Sequence, residues 1–122
     1  MKKNISNKVL KKSLSLLNNK YKLEIIYYLG LRRKMRFGEI KKDLGTITQQ
    51  LLTKILKEME KDSLIIRKEF SGFPRRVDYV LTDFGKGTRP IINSIVKWEI
   101  NNNKLITKVL KKKVTDSIYD YY

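Results

Sequence analysis

Apolar side chains recur along this chain with a period that changes from helical to extended and back. Val9, Leu10, Leu14 and Leu17 keep helical spacing, while Lys8, Lys11 and Lys12 fall elsewhere around the barrel. Residues 6–17 therefore read as an amphipathic helix, ended by Asn18-Asn19. From Lys20 to Leu31, the side chains of Leu23, Ile25, Ile26, Tyr27 and Leu29 cover most of the circumference. This predicts the most buried helix, closed at Gly30. Arg32, Arg33, Lys34 and Arg36 form a basic turn, and residues 37–44 a short third helix ending at Gly45. Thr48 is a good N-cap for a helix over 49–62. There Leu52, Ile55, Leu56 and Met59 make one apolar stripe, and Gln49, Gln50, Thr53, Lys54 and Lys57 occupy the other face.

The period then shortens. Residues 64–70 are rich in β-branched and aromatic side chains, Ser71-Gly72-Phe73-Pro74 carries turn chemistry, and Val77, Tyr79 and Leu81 alternate on a returning strand. The two strands predict a β-hairpin. Thr82 caps a predicted long helix over 83–101, with Phe84, Ile91, Ile92, Ile95, Val96, Trp98 and Ile100 as apolar positions and Pro90 inside it. Asn101-Asn102-Asn103 breaks the pattern. A last helix is expected to gather Leu105, Ile106, Val109, Leu110, Val114 and Ile118 on one side. The expected fold class is mainly α with a small β-hairpin, an α+β arrangement, with residues 1–101 as one domain and 102–122 as a helical extension.

The order of elements has a functional implication. Residues 37–62 form a helix-turn-helix, and the hairpin that follows is its wing. Such a motif places its second helix in the major groove, about 12 Å wide, where side chains meet base edges.

Composition narrows the chemistry. The 122 residues include no histidine and no cysteine. That excludes an imidazole base, a thiolate nucleophile, a disulfide framework and a Cys/His metal site. No phosphate-binding glycine loop or nucleophile motif is present. No catalytic residue, metal or cofactor is therefore assigned. The 28 Lys and Arg outnumber the 12 Asp and Glu, for a net charge of +16, which attracts polyanions. Alanine is absent while lysine, isoleucine and asparagine abound, so part of this excess reflects an AT-rich coding bias. The distribution is more telling: residues 1–36 carry +10, residues 37–63 zero, residues 64–82 +2 and residues 83–122 +4. A neutral recognition segment inside a basic frame assigns affinity to charge and sequence choice to a few neutral side chains. No stretch approaches the roughly 20 apolar residues of a membrane span, and no apolar signal core follows the basic start. A cytoplasmic protein is expected.

Four segments, in order and at consistent spacing, resemble the HxlR-type winged helix-turn-helix transcriptional regulators. Lys20-Tyr21-Lys22 resembles the family's Lys-Trp-Thr, with tyrosine in place of tryptophan. Arg36-Phe37-Gly38-Glu39-Ile40 is similar to its Arg-Phe-Gly-Glu-Leu. The run from Ile47 to Glu60 fits its Ile-Ser-x-x-x-Leu-x-x-x-Leu-x-x-Leu pattern. Pro74-Arg75-Arg76-Val77-Asp78-Tyr79-Val80-Leu81-Thr82 resembles its Pro-Pro-Arg-Val-Glu-Tyr-x-Leu-Thr wing. The resemblance covers about residues 14–98. It implies a duplex-DNA-binding regulator that dimerises through its first and last helices. Some members sense oxidants through a cysteine near the first helix. Here Asn7-Lys8-Val9 stands in that region and cysteine is absent, so direct thiol sensing is excluded.

Thr48, Gln49, Gln50, Thr53 and Lys54 are candidate DNA contacts, with Gln suited to adenine and Thr to a thymine methyl; the alternative is a solvated helix face. Lys57 is assigned to phosphate. Glu58, Glu60 and Asp62 are expected to face away from DNA. Arg75 and Arg76 are wing contacts to phosphate or minor groove, the alternative being that Arg76 pairs with Asp78 or Glu69. The resemblance carries over Arg76 alone, since Arg75 stands at the family's second proline. Arg32, Arg33, Lys34 and Arg36 are expected to flank the backbone. Leu10, Leu14, Leu17, Ile95, Trp98, Leu105 and Val109 are candidates for a homodimer interface, against ordinary core packing. Tyr27 and Tyr28 are candidates for lining an effector pocket, against plain packing. The rival reading is a non-specific architectural DNA-binding protein; an enzyme and a protein-interaction module fit the sequence less well.

Overall fold

Helix boundaries fall where side chains or turns replace lost backbone partners. The computed structural model describes residues 2–120, and side chains for residues 8–112. Helix α1 (Lys2–Leu16) precedes α2 (Lys20–Arg32), whose N-cap Asn19 accepts a hydrogen bond from the Tyr21 N–H at 2.8 Å. Strand β1 (Lys34–Met35), α3 (Phe37–Leu44) and α4 (Gln49–Lys61) follow. At the start of α3 the Glu39 carboxylate accepts from the Arg36 N–H at 2.9 Å. At the start of α4 the Thr48 hydroxyl accepts from the Leu51 N–H at 3.1 Å, satisfying a first-turn donor that has no carbonyl partner. Between them Gly45, at φ +83°, closes α3 by donating to the Lys41 and Lys42 carbonyls, a conformation glycine adopts without steric cost.

Helix α4 ends in a reciprocal pair of hydrogen bonds. Ser63, at φ +61°, donates to the Glu60 carbonyl at 3.0 Å, and Leu64 donates to the Met59 carbonyl at 2.9 Å. This is a Schellman turn, completed by burial of both Met59 and Leu64. Strand β2 (Ile65–Phe70) begins at the next residue and pairs antiparallel with β3 (Arg76–Leu81), Ile65 opposite Leu81 and Phe70 opposite Arg76. The short β1 joins the other edge of β3, with Met35 opposite Tyr79. Met35, Ile65, Tyr79 and Leu81 are buried. Helix α2 packs on α3, α4 and β3, and α4 on β2, so these residues join Ile25, Ile26 and Leu29, Ile40 and Leu44, and Leu52, Ile55, Leu56 and Met59 in one core.

Two charged residues, Lys22 and Asp78, are buried. Lys22 is only 4% exposed. Its ammonium sits 3.2 Å from the Glu58 carboxylate on α4 and 3.5 Å from the Asn18 side-chain carbonyl. Spacings of three, four and seven residues place Lys22 on the same face as Ile25, Ile26 and Leu29, whereas Leu23 is half-buried.

The hairpin is locked at its base by Thr82. Its N–H donates to the Leu64 carbonyl at 3.1 Å, and its hydroxyl donates to the Ser63 carbonyl at 2.5 Å while accepting from the Gly85 N–H at 2.8 Å. The last contact starts α5 (Asp83–Lys86). Gly85 is buried, and a Cβ there would lie 2.1 Å from the Leu64 carbonyl oxygen.

The expected single helix over 83–101 is corrected: α5 stops, and α6 (Arg89–Asn101) starts afresh. Gly87 and Thr88 donate back to carbonyls of α5, and Pro90 has no N–H with which to continue the ladder, though it suits the first turn of a new helix. Helix α7 (Asn103–Asp120) follows Asn102, whose backbone and side-chain N–H groups both reach the Trp98 carbonyl. Met1–Arg89 and Pro90–Tyr122 are two compact units. The side chains of Val114 and Ile118 lie outside the described residues. Among the described residues no helix is long and apolar enough to cross a membrane.

Three stability predictions follow from this packing. Gly85→Ala should lower unfolding free energy by about 3 kcal/mol or more, since backbone faces the new methyl; urea denaturation measures it. Glu58→Ala should cost about 1–2 kcal/mol by leaving the buried ammonium under-compensated, the pair being partly solvated on the Glu58 side. Lys22→Met should cost less than Glu58→Ala in the same assay, because the carboxylate left behind is 45% exposed.

Candidate nucleic-acid interface

Helix α4 divides into two sides. Leu52, Ile55, Leu56 and Met59 are buried, and Gln49, Gln50, Lys54 and Lys57 are exposed, with Thr53 half-buried among them. At 3.6 residues per turn the last five fall within an arc of about 140° opposite the buried stripe. Gln49, Gln50 and Thr53 together line a shallow surface concavity. The Thr53 hydroxyl donates to the Gln49 carbonyl at 2.8 Å, which commits its proton and leaves its methyl group and lone pairs for an outside partner. Thr48 is fixed as the cap. A helix with its side chains is about 10–12 Å across, which matches the width of the major groove. Glu58 turns toward Lys22 on α2. Glu60 shares the azimuth of Gln49 and Thr53, about 16 Å and about 10 Å further along the axis, so it does not face away from this side as expected.

The flanking cations separate into committed and exposed groups. Arg36 is exposed at the N-terminus of α3, its backbone N–H held by Glu39. Arg32 is drawn to Asp43 of α3 at 2.8 Å, in a charge contact without hydrogen-bond alignment. In the hairpin, Arg75 is exposed at the tip beside Phe73, which is fully exposed. Arg76 follows its plainer alternative in part: its guanidinium lies over the Phe70 ring, 4.2 Å from the centroid, and its Nε is 3.6 Å from the buried Asp78 carboxylate. The Arg76 side chain remains 41% exposed. Glu69 is held instead by Arg67, whose hydrogen bond and charge keep that carboxyl below its ordinary pKa.

The dimer candidates are apolar groups left in contact with solvent. On α1, Leu10 and Leu14 are exposed and Leu17, just beyond it, is half-buried; on α6, Ile95 and Trp98 are exposed, as are Leu105 and Val109 on α7. Tyr27 and Tyr28 meet edge to face with centroids 5.8 Å apart. Sequence reasoning missed Phe73 at the wing tip. The available signal was a large aromatic residue inside turn chemistry, between Gly72 and Pro74. It also gave Lys86 and Arg89 no role.

The comparisons agree with this geometry. The family described as HxlR-like helix-turn-helix matches residues 16–106. The chain is 42% identical over 86 residues to YdzF, an HTH-type transcriptional regulator of Bacillus subtilis, covering 70% of this chain and 79% of that one. It is 40% identical over 100 residues to BH0655, an HTH-type transcriptional regulator of Halalkalibacterium halodurans, covering 82% and 88%. Among solved structures, the reduced form of the redox regulator HypR matches with a TM-score of 0.75 at 29% identity, over 81% of this chain and 97% of that one. Reduced YodB of B. subtilis, a transcriptional regulator, matches with a TM-score of 0.65 at 28% identity, over 73% and 86%. With a helix-turn-helix followed at once by a hairpin wing, and relatives that are regulators and not enzymes, the chain belongs to the HxlR-like family of winged helix-turn-helix, DNA-binding transcriptional regulators.

Proposed function

We propose that this chain reads sequence in duplex DNA as a cytoplasmic homodimer, with α4 in the major groove and the hairpin on the backbone or adjacent minor groove. The observation that carries this reading is the outward arc of α4, where Gln49, Gln50, Thr53, Lys54 and Lys57 stand together opposite the stripe that fixes the helix to the core. Gln49 and Gln50 supply paired donor and acceptor groups that suit adenine, and the Thr53 methyl suits thymine. Lys54 lies at the edge of the same arc, and Lys57, a turn further on from Thr53, suits a phosphate. Thr48 acts mainly through the cap it forms. Arg36 meets phosphate beside the N-terminus of α3, Arg75 does so from the wing tip, and Arg76 contributes only the part of its guanidinium not taken by Asp78 and Phe70.

Dimerisation is supported by the exposed apolar groups. A run such as Ile91, Ile95 and Trp98 on one side of α6 is costly in water and marks an interaction surface. Leu10, Leu14 and Leu17 of the first helical segment, and Leu105 and Val109 of the extension beyond residue 101, are assigned to the same purpose. Two copies would address half-sites about one helical turn apart, or a multiple of it. HypR is described as a redox regulator; these 122 residues contain no cysteine, so the present chain does not share a thiol switch. The second reading, a non-specific architectural binder, is favoured by exposed lysines outside α4, such as Lys8, Lys11 and Lys12.

Selection of sites from random duplex DNA at two salt concentrations separates the two readings. Enrichment of one near-palindromic site is expected, and equal binding of every duplex at physiological salt would sink sequence-specific recognition. Gln50→Ala should reduce discrimination at its base pair by about 1–3 kcal/mol. Arg75→Ala should weaken all duplexes alike and lower the log–log salt slope by about 0.9. In light scattering at micromolar concentration the chain should have twice its monomer mass, and Trp98→Glu combined with Leu105→Glu should halve it. A monomer before substitution ends the dimer assignment.

A further inference from the structure

At the base of the hairpin, within the unit formed by residues 1–89, there is a cleft of about 630 Å³. Leu29 and Leu31 of α2 and Val80 and Leu81 of β3 give it an apolar lining. Four further lining residues are cations, Arg33, Lys68, Lys86 and Arg89, and none is a carboxylate. Lys86 stands 3.9 Å from Asp83, which is fully solvated, a contact of little strength in water. Among the described residues Arg33, Lys68 and Arg89 have no salt-bridge partner. Asp78, which is opposite Lys68 in register, has its carboxylate beside Arg76.

Two features show that the cations are held there. The Arg89 Nε lies 3.0 Å from where a Cβ on Gly30 would stand, so this side chain is seated directly on the backbone of α2, in space that only glycine leaves. Arg33 has φ +69° and ψ −41°, with its N–H bonded to the Leu29 carbonyl at 2.8 Å. That is a strained backbone region for a residue with a side chain, of the kind that persists at binding sites. Gathering like charges around an apolar surface is unfavourable until an anion enters.

We propose that this cleft binds a small amphipathic organic anion, with a carboxylate or phosphate group carried on an aromatic or aliphatic body. Its volume is that of a small-molecule site, and its mixture of apolar lining and convergent charge fits such a ligand. A phosphodiester backbone offers no apolar body to the leucines. The cleft also takes no residue from α3, α4 or the wing tip; Val80 lies four residues, about 13 Å, along β3 from Arg76. Arg33, which belongs to the basic turn expected to flank the backbone, is the one lining residue shared with the surface assigned to DNA; binding measured without DNA stands or falls without that assignment.

The test uses 1-naphthoate and its neutral counterpart 1-naphthalenemethanol, titrated into the full chain without DNA and followed by two-dimensional amide NMR. Naphthoate should saturate shifts at Gly30, Leu31, Val80 and Leu81, with the alcohol binding about tenfold more weakly or less. Lys68→Gln combined with Arg89→Gln should weaken naphthoate about tenfold and leave the alcohol unchanged. Arg33→Gly, which removes a cation while relieving the backbone, should remain folded and show a loss in the same direction. Equal affinity for acid and alcohol, shifts confined to other regions, or unchanged naphthoate binding in these variants would overturn the proposal.

Discussion

The carbonyl of Leu64 is the point from which the two elements proposed to face DNA take their directions. Its residue closes α4 through the bond to Met59, and its oxygen receives the Thr82 N–H at the other end of the hairpin. The same oxygen occupies the space next to Gly85 that any other residue would need. Helix, hairpin and the first turn after the hairpin thus share the backbone of one residue. Apolar burial supplies most of the driving force for the core, but burial is non-directional. The orientation of the wing relative to α4 comes from these few directional contacts.

Charge arithmetic looks different once partners are known. Residues 37–63 sum to zero, yet their carboxylates are not distributed like their lysines. Glu39 is used on the Arg36 N–H, Asp43 faces Arg32, and Glu58 faces Lys22. Lys54, Lys57 and Lys61 remain exposed. The outward side of α4, with Lys54, Lys57 and Lys61 against Glu60, is therefore more positive than its sequence segment. Three of the five acids in this stretch, Glu39, Asp43 and Glu58, serve contacts within the fold, while the exposed lysines set the field around it.

Legibility in the sequence followed the length of each pattern. Helix α4 was readable almost to the residue, because four buried and five outward positions repeat over more than three turns and Thr48 announces the start. The hairpin was readable from alternation and turn chemistry. Strand β1 was not, since two residues have no period and Lys34 and Met35 become a strand only by pairing with Val80 and Tyr79. Lys22 was passed over because its charge outweighed its position on the Ile25, Ile26 and Leu29 face; the compensating carboxylate lies on another helix. The break between α5 and α6 was foreshadowed by Pro90, which has no N–H to continue the ladder, but the bonds by which Gly87 and Thr88 turn back onto α5 have no local signature. Of the wing arginines, Arg75 stayed open to solvent, whereas Arg76 was captured by Phe70 and Asp78, a choice that depends on cross-strand register.

The corner between α4 and the hairpin has no spare residue. Asp62 ends the helix, Ser63 takes the left-handed turn, and Leu64 makes both the closing bond and the start of the lock with Thr82. One residue more or less there would rotate everything after it and exchange the two faces of β2. The tip at Ser71–Arg75 carries no such duty, being exposed throughout. Length variation among relatives of this chain should therefore be concentrated at the tip and excluded from the corner, so that the reach of the wing can drift while its angle to the helix is inherited unchanged.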